Sequence, residues 1–191
     1  MNYLAHCFLS GNDEELLVGN FIADSVRGSQ LQLFPERIAA GIILHRQIDA
    51  FTDSHPIVQK SKERLRPSYR KYAGVIADIY YDHFLAANFP EYSSVPLLTY
   101  AQQVYTTIQK YQFILPERVQ YFLPYMVQQN WLFNYANFEG IRKSLTGLSR
   151  RTSFVSNMET AADELENNYP FYKEDFNKFF PDLQQFVQPK F

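Results

Sequence analysis

A histidine and two aspartates stand in the stretch Ile42 to Pro56, IILHRQIDAFTDSHP, where a helix would place its buried stripe. Begun at Pro35, such a helix turns Ile38, Ile42, His45 and Asp49 to one face by 4-3-4 spacing, and Asp53 follows four residues later. Each step of four rotates a side chain by only about 40°, so three ionisable groups climb one surface. An unpartnered buried carboxylate is costly, so the row calls for a metal, a counter-ion or a hydrogen-bond network. Asp78, Asp82 and His83 form a second group on the helical pattern between Tyr69 and Asn88.

Imidazole with carboxylate and no thiolate favours a hard or borderline divalent ion, Mn²⁺, Mg²⁺, Fe²⁺ or Zn²⁺. Were the two helices to face each other, His45, Asp49, Asp82 and His83 could share one ion, as ligands do in helix bundles. His6 and Asp24 would complete the shell from the entry segment, with Asp53 and Asp78 behind them. An ion held this way lowers the pKa of bound water and neutralises a phosphoryl group, so the chemistry indicated is hydrolysis without a protein nucleophile. Arg27 and Arg46 stand close in sequence, and the planar guanidinium fork matches phosphate oxygens. Each piece also has a plainer reading. His-x3-Asp can be an intrahelical hydrogen bond, the arginines can pair with the same aspartates, and His6 can stack among Tyr3, Phe8 and Leu9. His55, before Pro56, suits a cap or the surface better than a ligand shell, and Cys7 suits a small buried hydrophobe.

All four histidines and six of the nine aspartates fall within the first 83 residues, and none of either lies between Phe84 and Ala162. This segregation predicts a site built by residues 1–90 and supported by helices over 96–191. At 191 residues the chain fits one domain. Prolines punctuate it: Pro35, Pro56, Pro67, Pro96, Pro116, Pro170 and Pro181 divide it into blocks of helical length, and most suit the first turn of a helix, where no backbone donor is needed. The spacing predicts a short early helix stopped by Gly28 and a second over 35–52. A third, capped by Ser54, opens at Pro56, and further ones cover 69–88, 97–112, 116–138, 138–148, 152–168 and 171–187. Alternation of period two is nowhere sustained, so the expected class is all-α, a single-domain compact helical bundle, with a long loop expected over 89–96.

Seventeen phenylalanines and 14 tyrosines predict an aromatic core whose hydroxyls need partners. A net charge of -2 gives no case for general attraction to nucleic acid or membrane. One cysteine excludes an internal disulfide and suits a reduced cytoplasmic setting. Neither a signal peptide nor a membrane-inserted span is expected. Arg142, Lys143, Arg150 and Arg151 form a basic cluster, either a solvated face or a docking surface for an acidic partner. Oligomeric state is not readable.

Four ordered stretches, MNYLAH at 1–6, GNFIADSVRG at 19–28, GIILHRQIDAFTD at 41–53 and IADIYYDHFLA at 76–86, resemble the acyl carrier protein phosphodiesterase (acyl carrier protein hydrolase) family. The likeness continues through QQNWLFNY at 128–135. It implies hydrolysis of the 4′-phosphopantetheine–serine linkage of holo acyl carrier protein with Mn²⁺ or a similar ion, and an all-helical fold akin to HD-type phosphohydrolases. It places the family's functional positions at Asp24, at His45 and Asp49 with Arg46 between, and at Asp78, Asp82 and His83. Here the last pair runs Asp-His, the reverse of the usual HD order.

The expected enzyme is thus a metal-dependent phosphodiesterase. His6, Asp24, His45, Asp49, Asp82 and His83 would ligate the metal. Asp24 would either complete that shell or orient the attacking water, Arg27 or Arg46 would take up developing charge, and the basic cluster would meet an acidic carrier protein. Two rivals keep the same residues: a phosphohydrolase acting on a nucleotide or other small phosphoester, and a non-catalytic helical binding module with a buried polar network.

Overall fold

A computed structural model describes residues 1–188. Eleven α-helices follow in chain order: α1 Tyr3–Phe8, α2 Glu14–Ile22, α3 Glu36–Ser54, α4 Pro56–Tyr69, α5 Ala73–Ala87, α6 Leu97–Lys110, α7 Glu117–Gln128, α8 Trp131–Asn134, α9 Phe138–Ser149, α10 Ala161–Asn167 and α11 Tyr169–Val187. No strand occurs among the described residues, so the all-α class holds.

Proline sets most of the starts. Pro35, Pro96 and Pro116 cap α3, α6 and α7, and Pro56 and Pro170 lie in the first turns of α4 and α11. Pro67 differs from expectation, lying inside α4, while Pro181 lies inside α11, within the helix expected over 171–187. Burial of Leu65 and Tyr69 beside the first, and of Phe179, Phe180 and Leu183 beside the second, holds those helices across the missing hydrogen bond. The cap of α4 is His55 rather than Ser54; the His55 ring accepts from the Ile57 N–H at 3.3 Å.

Three residues with positive φ divide the longer helices expected. Asn130 (φ 46°) ends the run over 116–138 between α7 and α8, and Asn157 (φ 57°) precedes the 3₁₀ turn Met158–Thr160, leaving only α10 of the helix over 152–168. Asparagine reaches that region at low cost. Arg70 (φ 50°) separates α4 from α5, so the helix expected from Tyr69 begins at Ala73. The early helix α2 stops at Ile22 and passes into a 3₁₀ turn, Ala23–Ser25, short of Gly28.

The centre of the molecule is α5, buried on nearly every side and packed on α1, α4, α9 and α11. Phe176, Phe179 and Phe180 of α11 pack edge-on or tilted against Tyr81, Phe84 and Tyr92. Tyrosine hydroxyls find partners at its edges: Tyr81 with Ser61 at 2.9 Å, Tyr172 with Glu164 at 2.9 Å, Tyr80 with the Ala161 carbonyl. Where α2 crosses α3, Gly19 and Gly41 let the backbones touch. A Cβ on Gly19 would stand 2.0 Å from the Ile38 carbonyl oxygen, and one on Gly41 2.2 Å from that of Leu16. This crossing fixes Asn20 and Asp24 beside His45.

Candidate functional site

His6 at the end of α1, Asp24 in the turn after α2, and His45 and Asp49 on α3 converge. The two imidazoles lie parallel, centroids 3.8 Å apart and planes 12° apart. Their Nε2 atoms address the two oxygens of one carboxylate: His6 lies 3.1 Å from Asp49 Oδ1 and His45 3.1 Å from Asp49 Oδ2. Asp24 Oδ1 is 3.2 Å from the same His45 Nε2. The rings are buried, whereas the Asp49 and Asp24 side chains keep 40% and 68% of their surface, so water reaches the carboxylates only.

Asn20 holds these elements together. Fully buried, it donates its side-chain amide to the His6 carbonyl at 2.8 Å and to the Ser10 hydroxyl at 3.0 Å, while its main-chain carbonyl accepts from His45 Nδ1 at 2.8 Å. A carbonyl can only accept, so His45 Nδ1 carries a hydrogen and Nε2 faces two carboxylates. Either a proton or a metal cation must lie between them, since bare lone pairs would repel. Burial opposes the proton, but the hydrogen bonds to Asp24 and Asp49 outweigh it and lift His45 to about 9. Desolvation holds His6 down to about 4 in spite of Asp49, and its buried Nδ1 has no partner. Burial disfavours the Asp49 charge, yet the two imidazoles hold that carboxyl well below its ordinary range. Asp24 is lowered chiefly by His45.

One ligand atom each from His6, His45 and Asp49 falls within 4.8 Å of the others. Two imidazoles and one or two carboxylates, with one Nδ1–H donated to a backbone carbonyl, are a donor set that fits a divalent ion.

Asp82 and His83 are not part of this group. Asp82, fully buried, takes the N–H of Leu4 at 2.7 Å on one oxygen and those of Asn2 and Ala5 at 3.2 Å on the other, supplying the N-terminal cap that α1 lacks from its own sequence. Burial pushes its carboxyl up to about 7 against the Met1 amine and those donors. Both oxygens being occupied, Asp82 serves the site through the helix that carries His6. His83 donates Nδ1–H to the Tyr135 carbonyl at 2.8 Å among Phe84, Phe138 and Tyr169, and burial lowers its pKa.

The outer partners also part company. Asp78 binds the Met1 amine at 3.0 Å, which in turn lies 3.7 Å from Asp49, whereas Asp53 points outward to Lys62 at 2.6 Å. Arg27 is exposed, and Arg46 donates to the Val26 carbonyl at 3.2 Å; neither touches the histidines or their carboxylates. In the basic cluster Arg142 is bound by Asp163 at 2.6 Å and Glu166 at 3.3 Å, and Lys143 by Glu139 at 3.4 Å. Arg150 is exposed at the end of α9. Cys7 is buried, as expected.

Asp24 opens the group onto a cleft of about 1020 Å³, at the upper end of ordinary ligand sites. Tyr3, Asp78, Phe122 and Trp131 line it, with three cations, Arg118, Lys143 and Arg151. Sequence reasoning passes over Asn20, Tyr3 and Arg118. An asparagine in an apolar helix position was a signal for the first; nothing local marks the other two. No helix among the described residues is long and apolar enough to cross a membrane.

A profile of the acyl carrier protein phosphodiesterase family matches residues 1–183. Relatives bearing that name include one from Photorhabdus laumondii, 32% identical and covering 100% of this chain and 96% of its own. Those from Enterobacter sp. (strain 638) and Serratia proteamaculans (strain 568) are each 31% identical, covering 100% of this chain and 98% and 99% of their own. No solved structure matches the chain. With its whole length aligned to these relatives, the chain belongs to the acyl carrier protein phosphodiesterase family.

Proposed function

We propose that this protein is a metal-dependent phosphodiesterase that releases 4′-phosphopantetheine from the serine of holo acyl carrier protein. The observation that carries the reading is the convergence of His6, His45, Asp49 and Asp24 from three separate elements at the edge of a ligand-sized cleft. These four residues would hold the ion, Mn²⁺ by the family's chemistry and Mg²⁺, Fe²⁺ or Zn²⁺ by the donor set. A divalent ion there supplies Lewis acidity toward a phosphoryl oxygen and lowers the pKa of a bound water.

The chain's own residues do the rest. The Asn20 carbonyl fixes the His45 ring so that Nε2 points at the carboxylates. Asp49 orients both imidazoles at once. Asp24, the member of the group that faces the cleft, would either complete the ion's shell or take the proton of an attacking water and align it against phosphorus. Its carboxyl is held below the ordinary range by His45, so it is ionised at neutral pH. The likeness to HD-type enzymes belongs to this proposal and rests on the paired imidazole and carboxylate ligands.

The test is the mass of holo acyl carrier protein incubated with the purified protein and Mn²⁺. Loss of the whole phosphopantetheine group is expected, with no loss for Asp24→Ala, His45→Ala or protein treated with chelator. Intact holo carrier protein after long incubation with folded, Mn²⁺-supplemented protein would overturn the reading.

A further inference from the structure

Arg118 near the start of α7 and Arg151 just beyond α9 reach the same cleft as Asp24 from 94 and 127 positions further along the chain. Among the described residues neither is held in an ion pair, unlike Arg142, Lys143, Arg37 and Arg64, each of which has an acidic partner. The carboxylates of this concavity are engaged elsewhere, Asp24 by His45, Asp78 by the Met1 amine and Glu139 by Lys143, so the two unpaired guanidinium groups make a place for an anion that is not part of the protein. Tyr3 lines the cleft with them. Its ring packs on Phe21 and Phe122, and its hydroxyl is near enough to Asp24, Arg118 and Arg151 to feel all three charges. Burial keeps that hydroxyl protonated, raising it to about 12, so at neutral pH it is a donor.

We propose that Arg118 and Arg151, with the Tyr3 hydroxyl, are the phosphate-binding residues of the cleft. They hold the non-bridging oxygens of the phosphoester and present phosphorus to the Asp24 side, a role the sequence suggests for Arg27 and Arg46. This rests on the phosphodiesterase reading for its substrate class. The stacked pair Phe122 and Trp131, planes 7° apart, then forms the wall for the uncharged remainder of the arm. No bond is made or broken by these residues; they bind and orient.

The sequence has a single tryptophan, and it lines this cleft. Trp131 fluorescence therefore reports occupancy without turnover. The experiment titrates 4′-phosphopantetheine, and separately pantetheine without the phosphate, into chelator-treated wild type, Arg118→Ala, Arg151→Ala and Asp49→Asn, with circular dichroism to confirm folding. The expected result is that each arginine variant loses about tenfold or more in affinity for the phosphorylated ligand, the scale of a charge-assisted hydrogen bond. Affinity for pantetheine should stay as in wild type, and Asp49→Asn should retain phosphate binding. Arginine variants that bind 4′-phosphopantetheine as wild type does, or a wild type that does not prefer the phosphorylated ligand, would overturn the proposal. The two readings fail separately. Phosphate binding lost in the arginine variants supports this assignment even if wild type never cleaves holo carrier protein, whereas cleavage with undiminished phosphate binding in those variants removes this assignment alone.

Discussion

His45 and Asp49 on α3 and Asp82 and His83 on α5 are made of the same chemistry, an imidazole and a carboxylate on a largely buried helix, yet their hydrogen bonds run to different destinations. On α3 the carboxylate oxygens meet two ring nitrogens, and one edge of the carboxylate is open to water. On α5 the carboxylate is sealed and its oxygens are taken by three backbone N–H groups of the first turn of α1. The α3 group therefore gathers its acceptors at one point, whereas the Asp82 carboxylate is filled and His83 Nε2, buried without a partner, stands alone among aromatic rings. A residue's type says what it could ligate; the destination of its hydrogen bonds says whether it is free to do so.

The widest separation of the two groups should appear in turnover. Asp49→Asn or His45→Ala is expected to lower kcat by about 10³-fold, the scale of removing a main electrostatic stabiliser, in protein that remains folded by circular dichroism although it loses the stability that the raised His45 pKa supplies without metal. A fully active Asp49→Asn would erase the distinction. Asp82→Asn should do the reverse. Its amide turns a donor toward backbone donors inside the core, which should cost about 3 kcal/mol of stability in urea titrations, while turnover per folded molecule stays within about tenfold of wild type.

The next effect is on pH. The folded-state pKa of His45 is raised above its unfolded value of 6.5 to about 9, so its contribution is complete below pH 6.5 and is lost as pH rises toward 9. Chelator-treated protein should thus lose about 2 kcal/mol between pH 6.5 and 8, seen as a falling urea midpoint. His45→Gln should flatten that decline. Saturating Mn²⁺ should reverse it, since the ion takes the deprotonated ring. The smallest effect belongs to His83: replacement by Leu strands the Tyr135 carbonyl and should cost about 1 kcal/mol, with Mn²⁺ affinity unchanged.

Much of this arrangement was legible in the residues. The stripe through Ile38, Ile42, His45 and Asp49 lies on α3 as its spacing requires, and five of the seven prolines stand in or before first turns. His6 and Asp24 join the α3 pair although they lie on other elements. What local pattern could not supply were facts created by distant contacts. Asp82 has its role because α1, nearly 80 residues earlier, ends its unsatisfied N–H groups against it. Arg118 and Arg151 are ordinary exposed arginines until α7 and α9 bring them to the cleft. The helix breaks at Arg70, Asn130 and Asn157 are backbone turns imposed by packing, with neither glycine nor proline to mark them.

Calorimetric titration of Mn²⁺ into metal-stripped wild type, Asp49→Asn and Asp82→Asn tests the central claim most directly, that the α3 histidine and carboxylate, joined by His6 and Asp24, hold a cation. The account predicts that wild type binds, that folded Asp82→Asn binds within about tenfold of it, and that Asp49→Asn is weakened beyond the 10–100-fold typical of losing an outer partner. Wild type without measurable Mn²⁺ binding, or Asp49→Asn binding as tightly as wild type, would contradict it.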